Sequence, residues 1–593
     1  MKKLRINRPH LPDKPSQVLK DRLIELESVT TRHGQRYLLR RWNNFTEVGR
    51  HAVTWLIIVM LLILGVVLQS DSLSNFYETT VPAAGGIYSE GVVGSAADFN
   101  PIFASTQPEL TTSRLIFGSL LEYGDDNNLV GDLATSWTVD STGQIYTVYL
   151  NPAAKWQDGT PVTSADVVYT IDAIQDPATG SPLASSWQHV QVKALNAETV
   201  QFTLPAPFPP FINSLTVGII PKHVLSNVPD YELRSDNFDS DPTVGSGPYR
   251  FVDSQTFSNQ TDIRLIRNSD YYGGHILPDG FDVDAFNTYQ GMLNAFKLGQ
   301  ISAASDIQPG DIAGLQDQGF RVETAPLMNE TLAFFNMNSP TLDPRVRAAL
   351  NVVTNKEAIV QALDGQYRVA NIPLLPGQLG YNPAQDVSSY NQATSMAAAT
   401  ALLTQDGYVK NKQGLMEKGG LPLTINLAAS TDDVYPKVAS LLAKQWEALG
   451  ITVQTNLVDD QDIQQNVLIP RNYDVLVYQL ALGSDSDEYA YWDSSQIGEQ
   501  GLNFSNYSNQ YVDDLLQSAR ASTDPNLRAA KYQDFVTQWV YDLPAIVLYQ
   551  PTYAYAMHTG ISGFVSHPLV QPTDRFYNIA DWAAATKKAV ENH

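Results

Sequence analysis

No cysteine occurs anywhere in the 593 residues, which removes disulfides, thiolate metal sites, cysteine nucleophiles and a lipid-modified cysteine anchor together. Basic residues are scarce: 38 Lys and Arg stand against 62 Asp and Glu, a formal charge of −24. Nucleic-acid binding needs concentrated Lys and Arg, so that balance argues against it and fits solubility outside a cell. Catalytic signatures are missing as well: there is no H-E-x-x-H, no G-x-S-x-G, no phosphate-binding P-loop. The nine histidines show no metal-ligand spacing in the body (His189, His223, His275, His558, His567, His593), and no repeat of solenoid period is found. An enzyme is not expected, and neither is a cofactor.

What is present is a division into three zones. Residues 1–50 carry 12 Lys/Arg and 5 Asp/Glu, about +7, leaving about −31 for the rest. Between these zones lies an uncharged apolar run, Ala52–Leu68. As a helix it would rise about 25 Å, the short end of a membrane span. Arg32, Arg36, Arg40, Arg41 and Arg50 precede it, which by the positive-inside rule places the N-terminus in the cytoplasm and the body outside. The expected organisation is a basic cytoplasmic tail (1–51), a transmembrane anchor (52–70) and a polar tether (71–85). A cleaved secretory signal is the alternative, though its charged region is usually far shorter.

The body mixes two periodicities. Alternating segments at Gln144–Leu150, Thr199–Leu204 and Thr261–Arg267 predict strands, whereas Val438, Leu441, Leu442, Trp446 and Leu449 recur at helical spacing. That helix should stop at Gly450 and feed a strand over Ile451–Val458, a packed α/β unit. More than 500 residues exceed one ordinary core, so at least two lobes are expected.

Several segments together resemble family 5, the peptide-binding family of solute-binding proteins of ABC transporters. They are Leu129–Ile171 with its KWQDGTPVTSADV stretch, GSGPYRF (Gly245–Phe251), RNSDYYGG (Arg267–Gly274), Phe334–Gln366 and Asn506–Tyr549. In these stretches Asp158-Gly159 suits a turn, Thr163 or Ser164 a helix cap, and Asp343 with Pro344 a helix start; GSGPY reads as a crossing between lobes, and Arg345 and Arg347 as structural ion-pair partners. The resemblance implies an α/β, two-lobed type II periplasmic-binding-protein fold with an extra small subdomain, here preceded by one N-terminal transmembrane helix. Lobe I would comprise 86–122, 245–335 and, with the C-terminal tail, 545–593; the small subdomain 123–244; and lobe II 336–544.

The same resemblance implies an extracytoplasmic receptor, held by its N-terminal helix, that captures oligopeptides between the lobes and delivers them to the permease subunits of an ABC importer. Peptide main chain would pair with Ser105, Thr106 and Gln107 on one lobe and with Gln479, Leu480 and Ala481 on the other. Asp485 would receive a ligand ammonium, the position aligned with the family's aspartate being Gly483. Tyr478, Tyr489 and Trp492 would wall the site, with core packing the competing role for each. A peptide sensor signalling through the tail, or a receptor for a sugar, opine or metal complex, remains open on the same fold.

Overall fold

The computed structural model describes residues 49, 53–66, 78–234, 244–363, 367–388, 390–432, 434–499 and 501–590. The chain divides into two compact units: residues 1–81 with 588–593, and residues 82–587. In the first, a helix runs over 53–66, and every side chain on it is exposed. Among the described residues no helix is long and apolar enough to cross a membrane. The remainder of the expected anchor, Ala52 and 67–70, the tail apart from residue 49, and most of the tether lie outside the described residues.

The second unit is built on two large sheets. The first orders its seven strands Arg321–Pro326, Thr552–Met557, Ala303–Ala304, Ile87–Val93, Gly280–Phe286, Gln260–Arg267 and Tyr249–Thr256. The second orders six: Arg368–Val369, Ala545–Gln550, Asn329–Phe335, Val475–Ala481, Thr424–Ser430 and Thr452–Val458. Alternation along one strand shows how the second sheet is buried: Ala333 and Phe335 enter the core on one face, Leu332 and Phe334 the core on the other. A strand covered on both faces reads as a continuous apolar run, as TLAFF does. The predicted α/β unit forms as a helix, Tyr435–Glu447, burying Val438, Leu442 and Trp446, with Gly450 at φ +99° before the strand Thr452–Val458. These two strands flank the helix in parallel register, Thr424 opposite Thr452.

A four-stranded antiparallel sheet, Ala134–Val139, Ile145–Leu150, Thr199–Thr203 and Gln191–Asn196, carries the helix Ser164–Gln175. Thr163 and Asp166 form that helix's reciprocal cap, the Thr163 amide donating to the Asp166 carboxylate at 2.8 Å. This subdomain shares one core with the first lobe, Tyr146, Trp156 and Phe202 joining Tyr88, Phe281 and Trp582.

Three expectations need correction. Asn329–Phe335 and Ala545–Gln550 belong to the second sheet, so the crossings between lobes fall at 327–328 and 551 rather than after 335 and before 545. The two crossing segments are tied together: the Leu327 amide donates to the Pro551 carbonyl at 3.0 Å, and the Gln550 side chain to the Leu327 carbonyl at 2.9 Å. GSGPY is not a crossing. A side chain at Gly245 would come within 2.0 Å of the Ile116 carbonyl oxygen, and the Gly247 amide donates to that oxygen at 2.7 Å, so these glycines permit a close backbone approach inside the first lobe. Arg347 is structural without being an ion pair; it donates to the carbonyls of Leu342, Asp542 and Leu543 at 2.8, 3.0 and 3.2 Å. Its helix begins as expected, with Asp343 accepting from the Arg345 amide at 2.9 Å.

The first sheet also stores a pH dependence. Asp262 stands directly opposite Asp284 in the antiparallel register. Burial, and then the charge of Asp262 beside it, pushes the Asp284 carboxyl up to about 8, far above the roughly 3.9 of an unfolded aspartate. Below about pH 4 both states are protonated and nothing is lost; as pH rises towards 8 the folded protein holds on to a proton that the unfolded chain releases, so stability falls. Asp284→Asn should therefore stabilise the fold more at pH 8.5 than at pH 5 in thermal denaturation, whereas equal gains at both pH values would contradict the assignment.

Candidate functional site

The first lobe's contribution is set by a helix start. Gln107–Ile116 is capped by Thr106, with Pro108 in its first turn and Glu109 completing the reciprocal cap. The Glu109 carboxylate accepts from the amides of Ser105 at 3.0 Å, Thr106 at 3.1 Å and Ala97 at 3.1 Å. Burial opposes its ionisation, but these amide donors, Ser105 first, outweigh burial and hold the carboxyl below the usual range. The Thr106 hydroxyl donates to the Ser95 carbonyl at 2.6 Å, and the Thr106 carbonyl accepts from Leu110 at 2.9 Å. In the stretch expected to pair with a peptide main chain, the Ser105 and Thr106 amides thus donate within the cap, and Gln107, one residue on, lines the space between the lobes.

That space is a cavity of about 480 Å³ with Leu327 and Pro551, the two crossing points, in its lining. Gln107, Thr111, Tyr289, Asp306, Tyr553 and Arg575 come from the first lobe; Tyr367, Tyr435, Gln479 and Tyr549 from the second. Asp306 is held at φ +51°, a conformation uncommon for a non-glycine residue. Tyr289 is fixed at both ends of its hydroxyl, donating to Asp311 at 2.8 Å and accepting from the Gln308 amide at 3.1 Å. The Tyr553 hydroxyl is buried without a hydrogen-bond partner among the described residues. Beneath the cavity Arg575 is paired with Glu90, both at most 1% exposed, and also donates to the Thr111 hydroxyl at 3.1 Å. Burial opposes the Arg575 charge, but Glu90 beside it keeps the guanidinium firmly protonated. Aromatic walls with a few convergent amide, hydroxyl and charged groups suit enclosure of a small polar chain.

The second lobe places its predicted residues unevenly. Gln479 reaches the cavity between the lobes. Tyr478, Leu480 and Ala481 line a separate hollow of about 510 Å³ in the second lobe, which Gln479 also borders. The Asp485 carboxylate, expected to receive a ligand ammonium, is paired with Arg528 at 2.6 Å. Asp487 is likewise paired with Arg520 at 2.9 Å. Tyr489 lies under the Arg520 guanidinium, 4.1 Å from its ring centre, and its hydroxyl meets Ser495 at 2.8 Å. Trp492 is core: it is fully buried, stacks on Phe334 at 5.7 Å and meets Trp539 edge-on at 5.2 Å.

Arg575, Thr111, Tyr289, Asp306 and Tyr553 were not legible as site residues. They come from three stretches far apart in the chain, at 111, 289–306 and 553–575, and none sits in a motif with a spacing of its own. The cluster of tyrosines is visible in the composition, 29 in all, but not its convergence. Among the described residues no group of three or more His, Cys, Asp or Glu side chains could hold a metal ion.

The family described as bacterial extracellular solute-binding proteins, family 5 Middle, matches residues 128–500. The oligopeptide-binding protein AppA of Bacillus subtilis is 25% identical over 558 residues, 90% of this chain and 99% of its own. The structure of AppA in complex with a nonapeptide matches with a TM-score of 0.67 at 26% identity, covering 85% of this chain and 100% of that one. The ABC transporter substrate-binding protein CtaP of Listeria monocytogenes matches with a TM-score of 0.73 at 25% identity, covering 84% and 99%. NikZ of Campylobacter jejuni, in complex with Ni(L-His), shares the fold at a TM-score of 0.68 and 24% identity, covering 84% and 99%. With two α/β lobes, two tied crossings, a cavity between them and a family match over most of its length, the chain belongs to the bacterial extracellular solute-binding proteins of family 5 and is a binding protein rather than an enzyme.

Proposed function

We propose that this protein is the membrane-anchored receptor of an ABC importer, closing on oligopeptides between its lobes and handing them to the permease. The observation that carries the reading is the cavity of about 480 Å³ lined from both lobes, in which Gln107 and Gln479 contribute amide groups from the two sides. Amides that both donate and accept suit an extended peptide main chain, and aromatic walls tolerate varied side chains. AppA, bound to a nonapeptide, supports the ligand class. The contact set is Gln107 and Gln479, with Tyr478, Leu480 and Ala481 towards the second-lobe hollow; Asp485 is left out because Arg528 holds it. Lobe I is 86–122, 245–326 and 552–587, the small subdomain 123–244, and lobe II 329–550. Anchoring is supported by the helix over 53–66, where Trp55, Leu56, Met60 and Leu62 are each more than 60% exposed and make an apolar surface.

Thermal denaturation of the detergent-solubilised full chain against pooled di- to nonapeptides, sugars and metal chelates tests the ligand class. At about 100-fold the dissociation constant a true ligand adds about 2.7 kcal/mol. A shift with peptides alone is expected; silence with peptides and a response to another class would overturn the substrate while keeping the fold. Recovery of the full chain in the salt-washed membrane fraction is expected from the anchor, and recovery in the soluble fraction would remove it.

A further inference from the structure

We propose that the second-lobe hollow is a side-chain pocket for an acidic residue of the ligand, with Arg471 as the recognising cation. The inference rests on the peptide-receptor reading above. The hollow, about 510 Å³, is bordered by Gln464, Arg471, Tyr478, Gln479, Tyr491 and Phe504. Gln479 lines both this space and the cavity between the lobes, so a ligand lying along Gln479 can turn a side chain into it.

Arg471 is unlike the other arginines near the binding segment. Arg520, Arg528 and Arg575 each face a carboxylate. Arg471 makes no ion pair among the described residues. Its terminal nitrogens donate to backbone carbonyls, those of Leu468, Gly498 at 3.2 Å, Gly501 at 2.8 Å and Asn503 at 3.5 Å; its Nε–H is buried with no partner among the described residues, as are those of Arg528 and Arg575, so the difference lies in the missing carboxylate. Arg347 offers an internal comparison: it too bonds only carbonyls, but all three of its nitrogens are used, as expected of a purely structural guanidinium. The backbone at Arg471 is held at φ +53°, a costly conformation for a residue with a long side chain, while its guanidinium lies over the Phe504 ring at 4.9 Å. Carbonyls stabilise a cation by their dipoles and leave its net charge unneutralised, so an entering carboxylate finds a fixed positive group. Tyr491, whose hydroxyl is spent on the Ala481 carbonyl at 2.7 Å, supplies wall rather than charge. Glu499 also borders the hollow, exposed and forming no ion pair with Arg471 among the described residues.

The test uses the full chain in detergent and tetra- to hexa-alanine peptides carrying a single Glu or a single Gln at each position in turn, titrated calorimetrically. At one position Glu should bind about tenfold or more tighter than Gln, the size expected of one charge-assisted hydrogen-bonded contact. Arg471→Gln should bring that ratio close to one, and Arg471→Lys should keep part of it. A ratio near one at every position in the natural protein overturns the inference without any variant, so the test survives if Arg471→Gln does not fold; a ratio that persists in Arg471→Gln overturns it equally. Binding of none of these peptides would instead sink the receptor reading itself, and the pocket with it.

Discussion

Replacing Arg575 with methionine should destabilise the first lobe by about 3–5 kcal/mol, the usual consequence of leaving one member of a buried ion pair behind. Glu90 is fully buried on the central strand Ile87–Val93 and would keep only the Tyr555 hydroxyl, which donates to it at 2.6 Å. Desolvation is what makes the loss large: a carboxylate in that position cannot recruit water, so it must either take up a proton or remain charged without compensation. The double variant Glu90→Gln with Arg575→Met should recover most of the loss, because removing both charges also removes both desolvation penalties. Chemical denaturation of the four proteins, read as a double-mutant cycle, measures this coupling. A single Arg575→Met variant within about 1 kcal/mol of the parent would contradict it, since that is the scale of a solvated surface pair. Arg575 also borders the cavity between the lobes, so this buried ion pair forms part of that cavity's wall.

Trp492→Ala should cost about as much, roughly 3–5 kcal/mol, for a different reason. The indole fills space between Phe334 on the second sheet and Trp539 on the helix Pro525–Asp542, and its removal leaves a cavity that these well-packed side chains cannot collapse to fill. Its Nε–H also donates to Glu488 at 3.0 Å, and burial holds the Glu488 carboxyl well above the ordinary range. Trp492→Phe separates the two contributions: it keeps most of the packing and loses the donor, and should cost about 1–3 kcal/mol. If Trp492→Ala were instead to fold with unchanged stability and lose ligand, the residue would belong to the wall of the binding site and not to the core.

The fate of the aromatic and acidic residues around 478–492 shows why local reading stops where it does. Tyr478, Tyr489 and Trp492 look alike as a cluster, yet one borders a hollow, one lies beneath an arginine and one is core. A strand sends successive side chains to opposite faces, and the loop after it turns through angles that no pattern encodes. Asp485 was readable as a carboxylate near the ligand, but its neutralising partner Arg528 lies 43 positions along the chain, on the helix Pro525–Asp542. Likewise Ser105 and Thr106 were placed by resemblance in the stretch that pairs with a ligand, and only the fold shows Glu109 reaching back to accept from both of their amides.

By itself, the order of residues determined the local elements and the family: the helix closed by Gly450, the capped turns at Thr163 and Asp343, the alternating strands and the order of the KWQDG, GSGPY and DPRVR segments. These depend on neighbours a few positions apart, where backbone sterics and capping act directly. Only the tertiary structure decided where the chain crosses between lobes, because Asn329–Phe335 and Ala545–Gln550 are apolar enough for either sheet and their hydrogen-bonding partners choose between them. It alone decided which charges are spent and which are free, since Glu90 and Arg575 meet across 485 residues of chain, and whether a buried carboxylate or guanidinium can serve a ligand depends on what already stands within 3 Å of it.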